Sequence, residues 1–498
     1  MISFWLSPAE VRDATYIPKY YSPEVDALLD DLARDYEVFS VAELVEAGAL
    51  ELATGHEIGK HAYGTGDIPF VRTSDIPNWE IKVASKQGVS EDVYREYSAR
   101  QDVKPGDLLL VRDGTYLVGN SAVVMPEDGD LIYQSHLVRM RVLPNSIGLD
   151  PYLLFASMNS AITQARVRAL QFTADIIDTL GQRVGELPVI VQRDEAKRLE
   201  TSRIVRRLLE RRASFKRTIA GFGAAMEQVL LDGDDAELSK LVYGDDDSSK
   251  KHHRAPAVSS EMGQFQAFWK SSDGIRGGIY LPTYYDVSID RELDAMKDNC
   301  ELITINELVE RGDLTLSTGH EVGKMAYGTG TYPFLRTTDF SNWEIIHNPK
   351  QGVSKEIFDD YRRKQDLREL DVLLVRDGTY LVGSSCIVLQ DDAESLYCGG
   401  LIRVRSTSEG LDPFLLFGLL NSYIVKRQFR TKQFTRDVID TLGQRVLEVV
   451  LPVPRSPELR TLISGLVETV VRARVGARVS LREVFDAYGP AEDRTLAS

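Results

Sequence analysis

The sequence LLVRDGTYLVG stands twice in this chain of 498 residues, at Leu109–Gly119 and again, unchanged, at Leu373–Gly383. Around it, 20 of the 30 positions from Thr54 to Val83 match the residues found 264 positions later. Further on, QFTADIIDTLGQRV (171–184) returns as QFTRDVIDTLGQRV (433–446). Identity over such lengths does not arise by chance, so the chain carries two copies of one module of about 150 residues.

Each module has the sequence pattern of a mixed α/β fold. The apolar run Leu108–Val111 leads into Asp113-Gly114 and a second apolar run, Tyr116–Gly119, which is typical of a β-hairpin. Leu137–Val142 alternates apolar and basic residues, as a half-buried strand does. Asp150-Pro151 supplies a helix cap followed by a first-turn proline. These patterns predict an antiparallel sheet core with helices packed on it.

A long helical pattern follows each module. Apolar residues recur there at steps of three, four and seven, which predicts a helix with one apolar stripe. A helix of about 35 residues spans about 50 Å and cannot bury such a stripe alone, so we expect the two helices to pair. The stripe residues are Ile204, Leu208, Phe215, Ile219 and Phe222 in the first helix and Leu459, Leu462, Leu466 and Val470 in the second.

The order of parts along the chain follows from these patterns. A polar stretch rich in aspartate separates the two halves and reads as a solvated linker. The predicted parts are an N-terminal arm (1–39), the first module (40–190), a central helix (191–230), an acidic polar linker (231–262), the arm of the second half (263–299), the second module (300–450) and a C-terminal helix with its tail (451–498).

Composition excludes several classes of protein. Three cysteines are too few for a disulfide framework, and their spacing fits no zinc site, which favours a reducing cytoplasm. No apolar run approaches the roughly 18–20 residues of a membrane span. With 75 acidic and 59 basic residues the net charge is −16, which argues against a nucleic-acid binder. Locally, however, Gln192–Arg217 holds ten basic against four acidic residues.

No catalytic constellation stands out in the sequence. Asp75, Glu80 and Lys82 resemble the acidic pair plus lysine of metal-dependent nucleases, but Ile346 replaces the lysine in the second copy. A charge pair at a strand edge explains them more simply. We therefore expect no catalytic residues, no metal and no cofactor, and a duplicated binding module makes this absence understandable.

Polar clusters that occur in both copies are the candidate binding residues. Arg72-Thr73-Ser74-Asp75 returns as Arg336-Thr337-Thr338-Asp339; the arginine can reach guanine, or it can brace a loop by pairing with the aspartate. The repeated Arg-Asp-Gly-Thr-Tyr segment allows the same two interpretations. The candidate DNA-binding residues are Arg72, Thr73, Ser74, Arg112, Thr115, Tyr116, Gln134, His136 and Arg139 in the first copy and Arg336, Thr337, Thr338, Arg376, Thr379, Tyr380 and Arg403 in the second.

In the order of its motifs, the chain resembles the specificity subunit of type I restriction-modification systems. The segments that carry the likeness are Pro69–Ile76, Gly106–Gly114, Ile177–Gly181 and Leu153–Ser160, together with the long helix that follows the module. The likeness covers nearly the whole chain except the linker and about the first 20 residues.

The resemblance implies an α+β fold with two target-recognition domains, at 40–190 and 300–450, and long helices that pair as an antiparallel coiled coil. It implies a non-catalytic subunit that reads a split sequence in double-stranded DNA. The expected partners are two copies of an adenine methyltransferase subunit and, in some systems, a translocating nuclease subunit. The close similarity of the two domains predicts half-sites that share bases in inverted orientation. The alternative is a non-catalytic DNA-binding or scaffold component of a phage-defence complex that does not methylate.

Overall fold

The computed structural model describes residues 11, 16–83, 87–114, 116–174, 177–243, 268–275, 278–378, 380–436 and 439–488. The helices in these residues are α1 (Pro23–Leu32), α2 (Val41–Glu46), α3 (Glu91–Gln101), α4 (Pro151–Asn159), α5 (Ala161–Leu170), α6 (Glu195–Asp232), α7 (Ala236–Tyr243), α8 (Val287–Ala295), α9 (Ile305–Arg311), α10 (Lys355–Gln365), α11 (Pro413–Asn421), α12 (Tyr423–Lys432) and α13 (Pro457–Ala487).

The strands of the same described part are β1 (Tyr36–Ser40), β2 (Leu50–Thr54), β3 (Ile68–Val71), β4 (Gly88–Val89), β5 (Leu108–Val111), β6 (Ser121–Val123), β7 (Ile132–Tyr133), β8 (Leu137–Val142), β9 (Phe172–Ala174), β10 (Ile177–Thr179), β11 (Pro188–Gln192), β12 (Cys300–Thr304), β13 (Leu314–Thr318), β14 (Tyr332–Leu335), β15 (Phe340–Ser341), β16 (Glu344–Ile345), β17 (Gly352–Val353), β18 (Val372–Val375), β19 (Ser385–Ile387), β20 (Leu396–Tyr397), β21 (Leu401–Ser406), β22 (Phe434–Arg436), β23 (Ile439–Thr441) and β24 (Val450–Pro454).

The chain divides into two compact units, and the first is assembled from two segments that lie far apart in sequence. The first unit comprises residues 1–210 and 477–498, and the second comprises residues 211–476. Each unit therefore holds one copy of the module together with part of α6 and part of α13.

Both units are built on the same pair of sheets. In the first unit, β2-β8-β5-β6 form an antiparallel sheet, and a smaller sheet, β4-β3-β7, contains one parallel pair. In the second unit the corresponding orders are β13-β21-β18-β19 and β17-β14-β20. The central strands β5 and β18 are fully buried because both of their faces are covered. The predicted α+β fold with an antiparallel core is confirmed.

The predicted hairpin is real, but its second strand lies further along the chain. Leu109 pairs with Ala122 of β6, so the segment Tyr116–Gly119 is a turn and not the predicted strand. Backbone hydrogen bonds from the amide of Leu117 to Gly114 and from that of Asn120 to Leu117 close this turn. Gly114 supports it with a φ of +135°, in a region that side-chain-bearing residues rarely adopt.

The predicted helix start at Asp150-Pro151 is confirmed. The Asp150 carboxylate accepts hydrogen bonds from the amides of Tyr152 and Leu153, both at 2.9 Å, and satisfies two N–H groups that the first helical turn leaves open. Asp412 caps α11 in the same way in the second unit. Both helices are then almost wholly buried, which explains their apolar composition.

A two-stranded sheet joins the beginning and the end of each module. In the first unit β1 pairs with β11, with Tyr36 opposite Gln192 and Ser40 opposite Pro188. In the second unit β12 pairs with β24 in the same register, from Cys300 opposite Pro454 onward. Because α6 and α13 begin within three residues of these sheets, each long helix starts at a fixed place beside its module.

The two long helices contact each other and run in opposite directions, as predicted. In the second unit Arg212 of α6 donates a hydrogen bond to the carbonyl oxygen of Arg474 of α13, at 2.9 Å, and Arg474 donates to that of Arg212 at 3.0 Å. Phe222 and Ile463 also lie close together, because both contact Gly418. Between the two contacts the residue numbers rise along α6, from 212 to 222, and fall along α13, from 474 to 463, so the helices are antiparallel.

The buried stripe of each helix differs from the prediction by one position over part of its length. In α6 only Phe222 of the five predicted residues is buried; Ile204 is exposed, and Leu208, Phe215 and Ile219 are half-buried. In α13 Leu459 and Val470 are buried, whereas Leu462 and Leu466 are half-buried. The buried neighbours are Val205, Leu209, Arg212, Ala213 and Lys216 in α6 and Ile463 and Val467 in α13.

Candidate nucleic-acid interface

In the first unit, polar residues follow three strands at the point where each strand ends. Arg72 follows β3, Arg112 follows β5 and Gln134 follows β7. Backbone hydrogen bonds tie these ends together, from the Arg112 amide to the carbonyl of His136 and from the Gln134 amide to that of Val71, both at 2.9 Å. The sequence-predicted residues therefore converge at one edge of the first module.

We call this group the first polar cluster; its members are Glu57, Arg72–Asp75, Arg112–Gly114, Gln134–His136 and Thr179. The second polar cluster is formed by the corresponding residues of the second unit, Glu321, Arg336–Asp339, Arg376–Gly378, Cys398–Gly400 and Thr441.

The Arg112-Asp113 pair is an internal brace of the first polar cluster. The Arg112 guanidinium donates to the Asp113 carboxylate through Nε and Nη2, at 3.1 and 2.8 Å, and to the carbonyl of Ser135 at 3.1 Å. Arg376 pairs with Asp377 in the same two-point manner in the second unit. Such planar, two-point pairing fixes both side chains, so the turn-bracing interpretation is the one that these contacts support.

Asp113 also holds two neighbouring side chains in place. Its carboxylate accepts a hydrogen bond from the hydroxyl of Thr179 and lies 3.0 Å from Nδ1 of His136. Burial raises the pKa of Asp113, but the hydrogen bonds from Arg112, Thr179 and His136 outweigh burial and hold the pKa below its ordinary value. The carboxylate is therefore ionised, and the His136 ring is oriented by a fixed negative charge.

The Arg72 loop is braced by its own aspartate. The Arg72 amide donates to Asp75 at 3.0 Å, and the guanidinium Nε lies 3.6 Å from the same carboxylate oxygen. Thr73 lies over Gly114, so that a Cβ atom added there would come within 3.7 Å of the threonine hydroxyl. Ser74 remains exposed to solvent. The loop thus combines a fixed backbone with an exposed hydroxyl.

The equivalent loop of the second unit exposes its arginine more fully. The Arg336 side chain is exposed, with its guanidinium 5.9 Å from the centre of the Tyr327 ring. Burial raises the pKa of Asp339 to about 6, even though its carboxylate accepts the Arg336 amide at 2.8 Å. Thr337 is half-buried and Thr338 exposed.

The strongest difference between the two clusters is the triplet that follows β7 and β20. In the first unit the Glu57 carboxylate accepts a hydrogen bond from the Ser135 hydroxyl and lies 3.4 Å from Nε2 of Gln134. In the second unit the triplet is Cys398-Gly399-Gly400, and the corresponding Glu321 accepts the backbone amide of Gly399 at 3.0 Å. The equivalent glutamate thus contacts polar side chains of the triplet in the first unit and a backbone amide in the second, where two of the three residues are glycines.

The tyrosines after the identical turn differ in exposure. Tyr380 is 66% exposed and its carbonyl accepts a hydrogen bond from Arg430 at 2.8 Å, whereas Tyr116 is half-buried. The predicted residues Thr115 and Thr379 lie outside the described residues.

Two predicted DNA-binding residues are internal to the fold, and that part of the prediction is wrong. Arg139 is 3% exposed; it pairs with Glu51 and donates to the carbonyl of Asp102 at 3.1 Å. Arg403 is 8% exposed and donates to the carbonyls of Gln365 and Asp366, both at 2.7 Å. Both arginines tie the end of a helix to the central sheet, so they are unavailable to a ligand.

The residues of the nuclease alternative do not form an open site. Asp75 is 1% exposed and Glu80 is 7% exposed, and burial lowers the pKa of the Lys82 ammonium. In the part of the chain that the structure describes, no group of three histidine, cysteine or acidic residues is arranged to hold a metal ion. The same described residues contain no helix that is long and apolar enough to span a membrane.

Sequence reasoning missed a buried ion cluster in the second unit. The Glu344 carboxylate accepts hydrogen bonds from Arg212 at 3.0 Å and from Arg474 at 2.7 Å, and all three side chains are at most 1% exposed. Arg212 and Arg474 occupy equivalent repeat positions, 262 residues apart. An arginine at the matching repeat position of each long helix is the signal that could have revealed the cluster.

No protein-family model matches the chain, and no curated protein matches it. Among solved structures, the chain is similar to the type I restriction-modification S subunit from M. genitalium, with 12% identity and a TM-score of 0.35 over 92% of this chain and 97% of that one. It is also similar to a chain from a structure described as the basis of complex assembly and conformational transition of the type I R-M system, with 15% identity and a TM-score of 0.26 over 91% and 96%. For the HsdS subunit from Thermoanaerobacter tengcongensis the values are 16% and 0.27, over 91% and 95%.

Proposed function

We propose that this chain is the DNA-recognition subunit of a type I restriction-modification complex. Each polar cluster contacts one half of a bipartite target in double-stranded DNA, and the chain itself catalyses no reaction. Its partners are adenine methyltransferase subunits, in two copies, and a translocating nuclease subunit where the system includes one.

The observation that carries the proposal is the repetition of one braced frame with a different triplet in each copy. The Arg-Asp brace and its threonine partner are the same in both clusters, which fixes the backbone that approaches a ligand. Gln134 and His136 are replaced by Cys398 and Gly400, which changes the hydrogen-bonding groups presented. Polar side chains can read the edges of DNA bases, whereas a fixed frame of residues positions the protein on the phosphate backbone of the DNA.

The test of the whole proposal is a genome-wide map of N6-methyladenine in the source cell, with and without this gene. We expect deletion to remove methylation from one split motif and complementation with the intact gene to restore it. An unchanged map in a strain with an active methyltransferase partner would contradict the methylation role. That result would favour a scaffold of a defence complex that does not methylate.

A binding experiment tests the interface directly. Arg336→Ala removes an exposed guanidinium from the second polar cluster, and we expect DNA bound by the assembled complex to be held about 1–3 kcal/mol less tightly. Arg95→Ala is the matched control, because Arg95 is an exposed arginine on the surface of α3, where its guanidinium pairs with Glu91 at 3.1 Å. Equal loss of affinity in both variants would indicate a general effect of charge and contradict the assignment.

A further inference from the structure

The repeat extends into the arm that precedes each module. From Phe4 to Tyr21, eight of 18 residues equal those 264 positions later, in Phe268–Tyr285. The identical pairs are Phe4 and Phe268, Trp5 and Trp269, Ser7 and Ser271, Arg12 and Arg276, Tyr16 and Tyr280, Pro18 and Pro282, Tyr20 and Tyr284, and Tyr21 and Tyr285. We call the described parts, residues 16–21 and residues 268–275 with 278–285, the first and second aromatic arms.

One tyrosine anchors each aromatic arm to its module. Tyr20 is 3% exposed; its hydroxyl donates to Glu186 at 2.6 Å, and the Arg183 guanidinium lies 4.8 Å from the ring centre. Its counterpart Tyr284 is equally buried and donates to Glu448. Glu186 and Glu448 are themselves repeat equivalents, so both arms are fastened by the same contact.

Beyond the anchor, the arms hold apolar side chains in solvent. Tyr16 is 81% exposed and its equivalent Tyr280 is 78% exposed, while Trp269 is fully exposed and Leu281 is 48% exposed. Single exposed apolar residues are ordinary, but the second arm holds several within one short anchored segment, which marks an interaction surface. The first arm exposes Tyr16 at the position equivalent to Tyr280. Fewer than half of the arm positions are identical, yet Tyr16 and Tyr280, which contribute little to packing, are among them. That pattern indicates that the two tyrosines contact another molecule and do not serve to stabilise the fold.

The charges beside the arms favour a protein over a nucleic acid. In the first unit α1 follows the arm and carries four acidic residues and no basic residue, at Glu24, Asp26, Asp30 and Asp31. In the second unit α8 carries three acidic residues and one arginine. Acidic helices repel DNA phosphates and attract lysine and arginine on a protein surface.

We propose that each aromatic arm is a docking site for one copy of the same partner protein. The partner offers an apolar pocket for the exposed rings, bordered by basic side chains that face α1 or α8. The inference rests on the proposed function, in which this partner is the methyltransferase subunit, and it adds the surface that the partner contacts. Tyrosine and tryptophan are the residue types that most often anchor such interfaces.

The experiment uses the full chain co-expressed with that methyltransferase subunit and counts bound copies by native mass spectrometry. We expect two copies on the unaltered chain, one on Tyr16→Ala and one on Trp269→Ala/Tyr280→Ala. The combined variant should bind at least about tenfold more weakly, the loss typical of removing a central aromatic anchor. Met325→Ala, which removes another apolar side chain that is 92% exposed, should keep both copies.

The outcomes separate the two proposals. If the unaltered chain binds no copy, the proposed function and this inference fail together. If it binds two copies and the arm variants also bind two with unchanged affinity, only this inference fails. Weaker DNA binding by the arm variants, with both partner copies kept, would assign the arms to DNA and overturn the inference. A thermal melt of each variant shows that the fold is intact.

Discussion

At the scale of single residues, the two polar clusters differ mainly in the triplet after β7 and β20. In the first unit a fixed aspartate orients His136, and Glu57 contacts Ser135 and Gln134. In the second unit Gly399 and Gly400 contribute no functional side chain there. If the clusters read DNA, the first presents more side-chain hydrogen-bonding groups than the second. Half-sites that share bases should then differ where this triplet reaches.

We predict that replacing the triplet of the first cluster by that of the second changes one half-site only. The variant Gln134→Cys/Ser135→Gly/His136→Gly should alter or relax the first half of the methylated motif, because it removes the groups able to contact base edges. The second half and the spacing should stay the same. The methylation map of a complemented deletion strain measures this, and Arg95→Ala serves as the control. A motif that changes in both halves would contradict the prediction.

A second prediction concerns a pair of half-buried carboxyl groups in the second unit, those of Glu227 and Glu292. Burial raises the pKa of Glu227 to about 7, and the carboxylate of Glu292 adds to the shift, while Arg427, 3.8 Å away, opposes it. The folded chain holds this proton at a pH where the unfolded chain has released it. Stability should therefore fall as pH rises from about 4.5 to 7.

Glu227→Gln should remove that part of the pH dependence. At pH 8 we expect the variant to be more stable than the unaltered chain by about 1 kcal/mol, a value reduced for solvent screening. At pH 4 the two should differ little. Urea unfolding at both pH values measures the difference, with the exposed Glu356→Gln of α10 as control. A variant that is less stable at pH 8 would show that the Glu227 carboxylate is favourable in the fold.

The residue roles could be predicted from the sequence only in part. Repetition located the clusters, and an Arg-Asp pair beside a glycine correctly indicated a braced turn. Arg139 was misassigned because alternation in a strand shows only that the arginine faces away from its apolar neighbours. Which group covers that face depends on Asp102 and Asp107, which reach β8 from the preceding helix end and turn.

At the scale of elements, the long helices bury charged side chains where an apolar stripe was predicted. Arg212 and Lys216 lie at buried positions of α6, and Arg474 and Arg478 lie at buried positions of α13. A search for apolar periodicity alone skips these positions and selects their neighbours, which explains the shift of one residue. The existence, length and pairing of the helices could be predicted; the face that each buries depended on tertiary ion pairs.

The Glu344 cluster provides a prediction at this scale. Glu344→Gln removes the negative charge that two buried guanidinium groups share, and we expect a loss of about 3–5 kcal/mol in the free energy of unfolding of the second unit. Replacing Arg212, Glu344 and Arg474 together by methionine, leucine and methionine should cost much less, because no buried charge is then left without its partner. Urea denaturation measures both. A small loss from Glu344→Gln alone would contradict the argument.

At the scale of the whole molecule, each unit needs segments from both halves of the chain. In the first unit Phe485 of α13 lies 5.0 Å from Trp79 and 5.4 Å from Phe155, measured between ring centres. In the second unit Phe222 of α6 lies 4.9 Å from Trp343. The duplicated sequence predicted two modules of about 150 residues, whereas a helix segment outside the module completes each core, 406 residues after Trp79 in the first unit and 121 residues before Trp343 in the second.

We predict that neither half of the chain folds normally alone. Fragments 1–243 and 268–498 should each aggregate or show red-shifted tryptophan fluorescence, because Trp79 or Trp343 loses an aromatic neighbour. Co-expressed, the fragments should purify together and recover the fluorescence of the intact chain. Light scattering and fluorescence spectra measure this. A monomeric single fragment with native fluorescence would show that the distant helix segment is dispensable.

The short sheets that close each module have a consequence for inheritance. β1 pairs with β11 and β12 pairs with β24 in the same register. The module between each pair of strands therefore begins and ends side by side, with the same geometry in both units. A genetic exchange with breakpoints in these strands would replace a whole module while both long helices keep their sequence. Under the proposed function, one such recombination event would give a lineage a new target, and the two modules of one chain could come from different ancestors.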